Sequence, residues 1–290
     1  ISGGSRNTDK SEVTTNKHKK KGEKMFTVIG ERINMTRKKI RDGVWNGNIA
    51  FIQNEASKQA KAGATHIDIN AGGDPSKEVE DMRWLTRVVS EAIELPLVFD
   101  SANPLALAEG LKICPRPGTI INSVTGEKKR LTEILPLVKK YKTGVVALTM
   151  DDRGIPEDYE GRMRVARELV KVIEAEGISR DRIYLDPLVR PASTNPGQSR
   201  FVLEVIKDIR KQFPHIHITL GLSNISFGLP VRNNLNKVFL AMLVAAGCDG
   251  AVIDPTEAGM MNTLFSSRAA LGLDEYGMDY IKAYRESRLK

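Results

Sequence analysis

Short apolar runs in this chain end, one after another, on carboxylates and carboxamides. From the N-terminus these are Glu31 and Asn34, Asp68 and Asn70, Asp100 and Asn103, Asn122 and Ser123, Asp151 and Asp152, Asp186, Ser223 and Asn224, and Asp254. A carboxylate accepts paired N–H groups, and a carboxamide both donates and accepts. Together they suit a flat heterocycle with an amidine-like edge of donors beside a carbonyl, the outline of a pterin. A buried polar edge left unmatched costs about 1–3 kcal/mol, so a receptor has to answer such a ring group by group. Asp and Asn also serve as helix N-caps, so any one of these positions has a plain structural reading. Eight run ends bearing them together favour a site. Lysine is absent from these positions, which argues against a Schiff-base aldolase, and no HExxH offers a zinc site. His215 and His217 form an HxH pair at the start of the seventh run, away from the polar ends, where a structural role is expected.

The elements that must position these residues are legible as an alternation. Strands are expected at Phe26–Gly30, Thr65–Asn70, Pro96–Asp100, Gly118–Asn122, Gly144–Met150, Arg182–Asp186, His215–Leu222 and Gly250–Asp254. Their hydrophobicity is nearly continuous, as parallel strands buried on both faces require. Between them lie helical patterns, among them Asn48–Ala62, Lys77–Ile93, Glu127–Tyr141, Pro156–Glu176, Gln198–Phe213 and Asn236–Ala246. Gly63, Gly177 and Gly247 stand where left-handed helix ends need glycine. Eight βα cycles in this length predict a single-domain α/β (β/α)8 TIM barrel, with an open doubly wound sheet as the fallback. In a barrel the residues past the strand ends meet at one mouth. The turn after the first strand has no GxGxxG, and no GxxxxGK[ST] occurs, so the usual dinucleotide and P-loop sites are not signalled.

The 290 residues are 41% hydrophobic and 28% charged, enough for a large core. Apolar runs such as Val238 to Ala246 are far shorter than a membrane span, and the N-terminus has no signal-peptide core, which predicts a cytoplasmic protein. Cys114 and Cys248 are far apart and form no CxxC, so neither a disulfide framework nor a cysteine-rich metal site is readable. Half of the net charge of +8 sits in residues 1–24, with seven Lys or Arg against three Asp or Glu. That stretch is expected to be a disordered basic tail whose ISGGS opening resembles an expression remnant, with Met25 near the natural start and the barrel domain filling 25–290. Charge runs of this kind usually stay solvated, so no nucleic acid is expected as a partner.

The segments IGERIN (29–34), HIDIN (66–70), FDSANP (99–104), IINS (120–123), LTMDDRGIP (148–156), YLDPLV (184–189) and GLSNISFGLPVRN (221–233) resemble the methyltetrahydrofolate:corrinoid protein methyltransferases and the folate domain of cobalamin-dependent methionine synthase. The resemblance runs from about residue 26 to the C-terminus. It implies transfer of a methyl group between N5 of methyltetrahydrofolate and the cobalt of a corrinoid protein, as in acetogenic or O-demethylation systems. It further implies that Asp100, Asn122 and Asp186 hold the pterin ring, that Asn224 lies beside N5, and that Gly221 and Ser223 frame the ring. Asn224 and Asp186 would then be the catalytic pair, and Arg232 would meet the glutamate tail of the folate. No DxHxxG corrinoid-binding pattern occurs, so the cobalamin is expected on a separate partner, with no tightly bound metal in this chain. Homodimerisation is implied too; Trp45, Met260 and Met261 are candidates for an exposed apolar surface, although such residues more often belong to a core. The rival is dihydropteroate synthase, another pterin-binding barrel, whose NDVSG resembles INSVTG (121–126). It has to bind a pyrophosphate leaving group, for which the strand ends show few basic or glycine-rich positions.

Overall fold

Eight strands alternate with ten helices along residues 25–289, the part of the chain that the computed structural model describes. The expected basic tail over 1–24 lies outside the described residues. The strands are β1 (Thr27–Asn34), β2 (His66–Asn70), β3 (Leu97–Asp100), β4 (Ile120–Val124), β5 (Gly144–Leu148), β6 (Ile183–Asp186), β7 (His217–Ile218) and β8 (Gly250–Ile253). All pair in parallel in the order β7-β6-β5-β4-β3-β2-β1-β8. A parallel bridge between Gly221 and Val252 brings the two ends together, with Val252 N donating to Leu220 O at 2.9 Å. The (β/α)8 barrel expected from the alternation is therefore the fold.

Where strand bounds differ from expectation, the backbone gives the reason. Gly118 is left-handed and Thr119 N closes a turn onto Arg116 O, so β4 starts at Ile120 and not at Gly118. His215 has φ +75°, which no strand accommodates, and β7 starts only at His217. β1 runs on to Asn34 through an irregularity between Gly30 and Ile33, where Arg32 N donates to Gln59 Oε1 at 3.0 Å.

The helices are α1 (Lys38–Trp45), α2 (Ile49–Ala62), α3 (Glu78–Ala92), α4 (Pro104–Ile113), α5 (Lys128–Tyr141), α6 (Tyr159–Ala175), α7 (Gln198–Gln212), α8 (Arg232–Ala246), α9 (Met260–Ala270) and α10 (Met278–Arg285). Gly63 and Gly247 cap α2 and α8 in the left-handed conformation, and Gly177 follows α6 with φ +78°. α6 begins at Tyr159 and not at Pro156 because Asp158 caps it, accepting from Gly161 N at 2.7 Å. α8 begins four residues before the expected Asn236, directly after left-handed Val231.

Two cores follow from the two faces of the sheet. Outward residues such as Ile69, Phe99, Ile121, Val145, Ala147 and Leu185 pack under the helices. Inside the barrel Ile29, Val98, Ile120 and Val146 form a smaller cluster with Leu148, Tyr184 and Val252 against it. Gly144 is required there, because a Cβ at that position would stand 2.9 Å from the Tyr184 ring. Side chains alternate along a strand, so residues two places beyond this inner floor share its face. Those residues are Glu31, Asp100, Asn122, Asp186 and Asp254. Asp68 joins them because it registers against Val98. The interior is apolar below and acidic or amide-bearing above.

His217 stacks on Tyr184 at 4.5 Å between ring centroids and bonds Asp249 at 3.0 Å, the structural role expected of it. Met260 and Met261 are buried, whereas Trp45 is half-exposed with its indole N–H on Asp81. Both cysteines are buried and unpaired. Among the described residues no helix is long and apolar enough to cross a membrane.

Candidate active site at the barrel mouth

Register brings the first four strand ends into one row, with Asn34 beside Asn70, Asn70 beside Asp100, and Asp100 beside Asn122. Asn70 Nδ2 donates to Asp100 Oδ2 at 2.8 Å. One step deeper, Asp68 is 2% exposed and takes a side-chain hydrogen bond from Asn122, while its Oδ1 has no partner within the protein. Burial pushes the Asp68 carboxyl well above the ordinary carboxylate range, and the neighbouring charges of Asp100 and Glu31 push it the same way. Asp100 is raised as well, burial outweighing the Asn70 hydrogen bond and the field of Arg130. Burial likewise raises Glu31, against the Arg37 guanidinium 3.1 Å away. Three neighbouring carboxyls are thus all shifted toward the neutral form, a balance that a ligand rich in N–H donors would oppose.

Across the mouth, Asp186 ends β6 with its carboxyl buried. Its Oδ1 accepts from Leu188 N at 2.7 Å, and the Gly221 amide also reaches it. Burial nonetheless prevails, and the group is pushed up to about 7. Gly221 opens the short 3-10 turn Leu222–Ser226, in which Asn224 N donates back to Gly221 O at 3.3 Å. A Cβ on Gly221 would lie 3.0 Å from Asn224 Nδ2. One glycine thus joins the carboxyl of Asp186 to the carboxamide of Asn224 and leaves room for both. The residues expected to serve the ring fall in two groups, Asp100 with Asn122 on one wall and Asp186 with Asn224 on the other, above a common apolar floor. Ser223 and Arg232 line a cavity of about 420 Å³ beside the turn, shared with Glu31, Arg37, Asp254 and Glu257.

Three arginines hold this rim by its carbonyl oxygens. Arg130, from α5, donates to Ser123 O at 2.9 Å, Ala102 O at 2.6 Å and Ser101 O at 2.7 Å, tying the segment after Asp100 to the one after Asn122. Arg162, from α6, is fully buried and donates to Pro156 O, Pro187 O and Leu188 O, bracing the chain after Asp186. Arg232 donates to Ser223 O at 2.5 Å and Ser226 Oγ at 3.0 Å. Nothing local in the sequence marks Arg130 or Arg162 for this task, since each lies within a helix and reaches a strand end elsewhere. Three of the polar strand-end residues are drawn into ion pairs: Glu31 with Arg37, Asp151 with Arg153 and Arg164, and Asp254 with Arg32. Among the described residues no group of three or more His, Cys, Asp or Glu could hold a metal ion.

Comparison with known proteins shows the family and the fold. Residues 30–254 match the family described as pterin binding enzyme. The methylcorrinoid:tetrahydrofolate methyltransferase of Eubacterium limosum is 38% identical over 265 residues, covering 90% of this chain and 97% of that protein. The methionine synthase of Mycobacterium tuberculosis is 30% identical over 260 residues, covering 85% of this chain but 22% of that longer protein. Among solved structures, a dihydropteroate synthase from Clostridium difficile, determined in the presence of pteroic acid, superposes with a TM-score of 0.68 at 17% identity, covering 86% of this chain and 97% of that one. The Yersinia pestis enzyme of the same name gives 0.67 at 15%, covering 87% and 96%. At such identities the likeness is one of fold.

Proposed function

The chain belongs to the pterin-binding enzymes, and from that premise we propose that it is a methyltransferase moving a methyl group between N5 of methyltetrahydrofolate and the cobalt of a corrinoid protein. The observation that carries this reading is the match, nearly end to end in both chains, to a methylcorrinoid:tetrahydrofolate methyltransferase. The alternative, a dihydropteroate synthase, needs cations free to receive pyrophosphate. At this mouth Arg130, Arg162 and Arg232 turn donors to backbone carbonyls instead, and Arg32 and Arg37 pair with carboxylates.

In this reading Asp100, Asn122 and Asp68 answer the amidine edge and carbonyl of the ring, and Asp186 with Asn224 faces N5, framed by Gly221 and Ser223. In one direction the C–N5 bond breaks as carbon bonds to cobalt; the cobalt(I) centre supplies the electron pair of the new bond, and N5 keeps its own pair and gains a proton. In the other direction the same atoms retrace the path, and N5 loses a proton as it takes the methyl group. A tertiary amine is a poor leaving group until N5 is protonated. A carboxyl held near neutrality, as Asp186 is, can hold that proton close by. The Asn224 amide can strengthen its hydrogen bonding as charge develops on N5, so binding favours the transition state. Positioned donors of this kind are worth about 2.7–4 kcal/mol.

The cobalt is delivered by a separate corrinoid protein docking over the mouth. The protein is cytoplasmic and works as a homodimer, for which the exposed Leu271, Leu273, Tyr276, Met278 and Tyr284 around α10 offer an apolar face; light scattering of the purified chain reads that state. The decisive test of function mixes the protein with methyltetrahydrofolate and cob(I)alamin and follows methylcobalamin by absorbance. Turnover supports the assignment. Its absence, with condensation of a pterin pyrophosphate and p-aminobenzoate in its place, overturns it.

A further inference from the structure

Arg232 is exposed and borders the cavity beside the turn, a position that invites a role with the substrate itself. Its bonds point elsewhere. From the first residue of α8 the side chain reaches back over the 3-10 turn, giving Nη2 to Ser223 O at 2.5 Å and Nε to Ser226 Oγ at 3.0 Å. Ser226 Oγ itself donates to Ser223 O at 3.1 Å, so guanidinium, hydroxyl and carbonyl close a small triangle around the peptide that leads into Asn224. The guanidinium carbon also stands 6.0 Å from the centroid of Phe227, the residue on the far side of Asn224 and Ser226. The turn is pinned from outside too, by Ala192 N on Ile225 O at 2.9 Å and by Ser193 Oγ on Phe227 O at 2.8 Å.

We propose that Arg232 is a positioning residue for Asn224, holding the turn from Gly221 to Phe227 in the one arrangement that presents the carboxamide to N5, and that it does not receive the glutamate tail of the folate. This rests on the methyltransferase reading, which sets Asn224 beside the reacting nitrogen. The physical case is direct. Nη2 and Nε, the guanidinium's fork on the side of the turn, are both committed, and a carboxylate taking that fork would have to release the peptide before Asn224, which leaves a tail only the outer Nη1–Nη2 edge. A 3-10 turn of five residues has poor internal hydrogen bonding, so its geometry depends on bonds from outside it. Displacement of a reacting group by about 1 Å costs on the order of a hundredfold in rate.

The test uses the intact protein, Arg232→Gln, Asn224→Ala and the double variant. Two methyl donors are compared: methyltetrahydrofolate, and a 5-methyltetrahydropterin lacking the p-aminobenzoylglutamate tail. Positioning requires kcat of Arg232→Gln to fall by the same factor on both donors, on the order of tenfold to a hundredfold, with KM changed by less than about threefold. It also requires the loss to vanish on the Asn224→Ala background, because the two act as a unit. Backbone amides of residues 221–227 should exchange hydrogen faster in Arg232→Gln, with the remaining mouth segments unchanged. A loss confined to the tailed donor and expressed in KM would overturn the proposal in favour of tail binding, and unchanged exchange in 221–227 would overturn it outright. If the wild-type protein transfers no methyl group to cobalamin, the functional reading fails, and the exchange measurement still decides whether Arg232 holds the turn.

Discussion

Gly221 and Asn224 face each other across a single turn, so that a methyl group on the former would sit 3.0 Å from the amide nitrogen of the latter. The backbone of Gly221 has φ −73°, which any residue adopts, so only the close approach demands glycine. Gly221→Ala should therefore fold with a stability change under about 1 kcal/mol while displacing the Asn224 carboxamide by a few tenths of an ångström or more. Methyl transfer should drop by one to two orders of magnitude, with folate affinity changed much less. Single-turnover formation of methylcobalamin, set beside a thermal melt, checks both halves. A variant with wild-type rate would remove Asn224 from the reaction.

Asp186 predicts a pH dependence with a definite sign. Its carboxyl is pushed up to about 7 by burial, above the ordinary 3.8 that applies when the chain is unfolded. The folded state therefore binds the proton more tightly, and its contribution to stability is complete below about pH 4 and lost as pH rises through about 7. The upper bound is a few kcal/mol, at 1.36 kcal/mol per pH unit. Asp186→Asn keeps the oxygen that accepts from Leu188 N and cannot ionise, so it should flatten the chemical-denaturation stability profile between pH 4 and 7. Methyl transfer from the folate should decline above about pH 7 in the wild type, and the residual rate of the variant should lack that limb. An unaltered profile in Asp186→Asn would assign the dependence to another group.

The barrel was legible because continuous apolar runs repeat eight times between helical patterns, three of them stopped by glycine, and the polar strand ends announced themselves by type. Asp100, Asn122, Asp186, Gly221, Ser223 and Asn224 all lie at the mouth as expected. What the chain could not disclose locally is which polar ends stay available to a ligand. Asp151 and Asp254 look no different from Asp100 in sequence, yet Arg32, from the other end of the chain, claims Asp254, and Arg164 of the following helix joins Arg153 on Asp151. For the same reason the roles of Arg130 and Arg162 were hidden: a guanidinium on a helix face becomes a brace only when folding brings carbonyl oxygens to it. Trp45, Met260 and Met261 divided between surface and core, because apolar type alone does not say which face a helix turns outward.

Arg130 should control pterin affinity without touching the ring. Its three bonds join the backbone after Asp100 to that after Asn122, so Arg130→Ala frees two neighbouring segments of the ring-binding wall at once. Carbonyls at this half-buried edge can turn to water, which limits the stability loss to about 1–3 kcal/mol. The dissociation constant for tetrahydrofolate should rise by roughly tenfold, the equivalent of about 1.4 kcal/mol. Titration calorimetry at matched temperature measures it. Affinity equal to wild type would mean that the two segments hold their places unaided.

Pterin binding should release protons, and Asp68 should be their principal source. In the free protein burial pushes its carboxyl well above the ordinary carboxylate range, and the adjacent Asp100 and Glu31 push it the same way, with Oδ1 lacking any protein partner. A ring presenting N–H donors to this wall reverses the balance, because hydrogen bonds to the ionised form favour it over the neutral one. The apparent binding enthalpy near pH 7 should then depend on the ionisation enthalpy of the buffer, with a slope indicating net proton release. Asp68→Asn resembles the protonated carboxyl in shape and can still meet Asn122, so it should fold normally. Its slope should shrink, and its affinity should fall by roughly tenfold for want of a charged acceptor. Asp68→Leu leaves the Asn122 amide unpaired and should also cost about 1–3 kcal/mol of stability. Identical heats in phosphate and Tris for the wild type would show that the wall binds its ligand without changing its own charge.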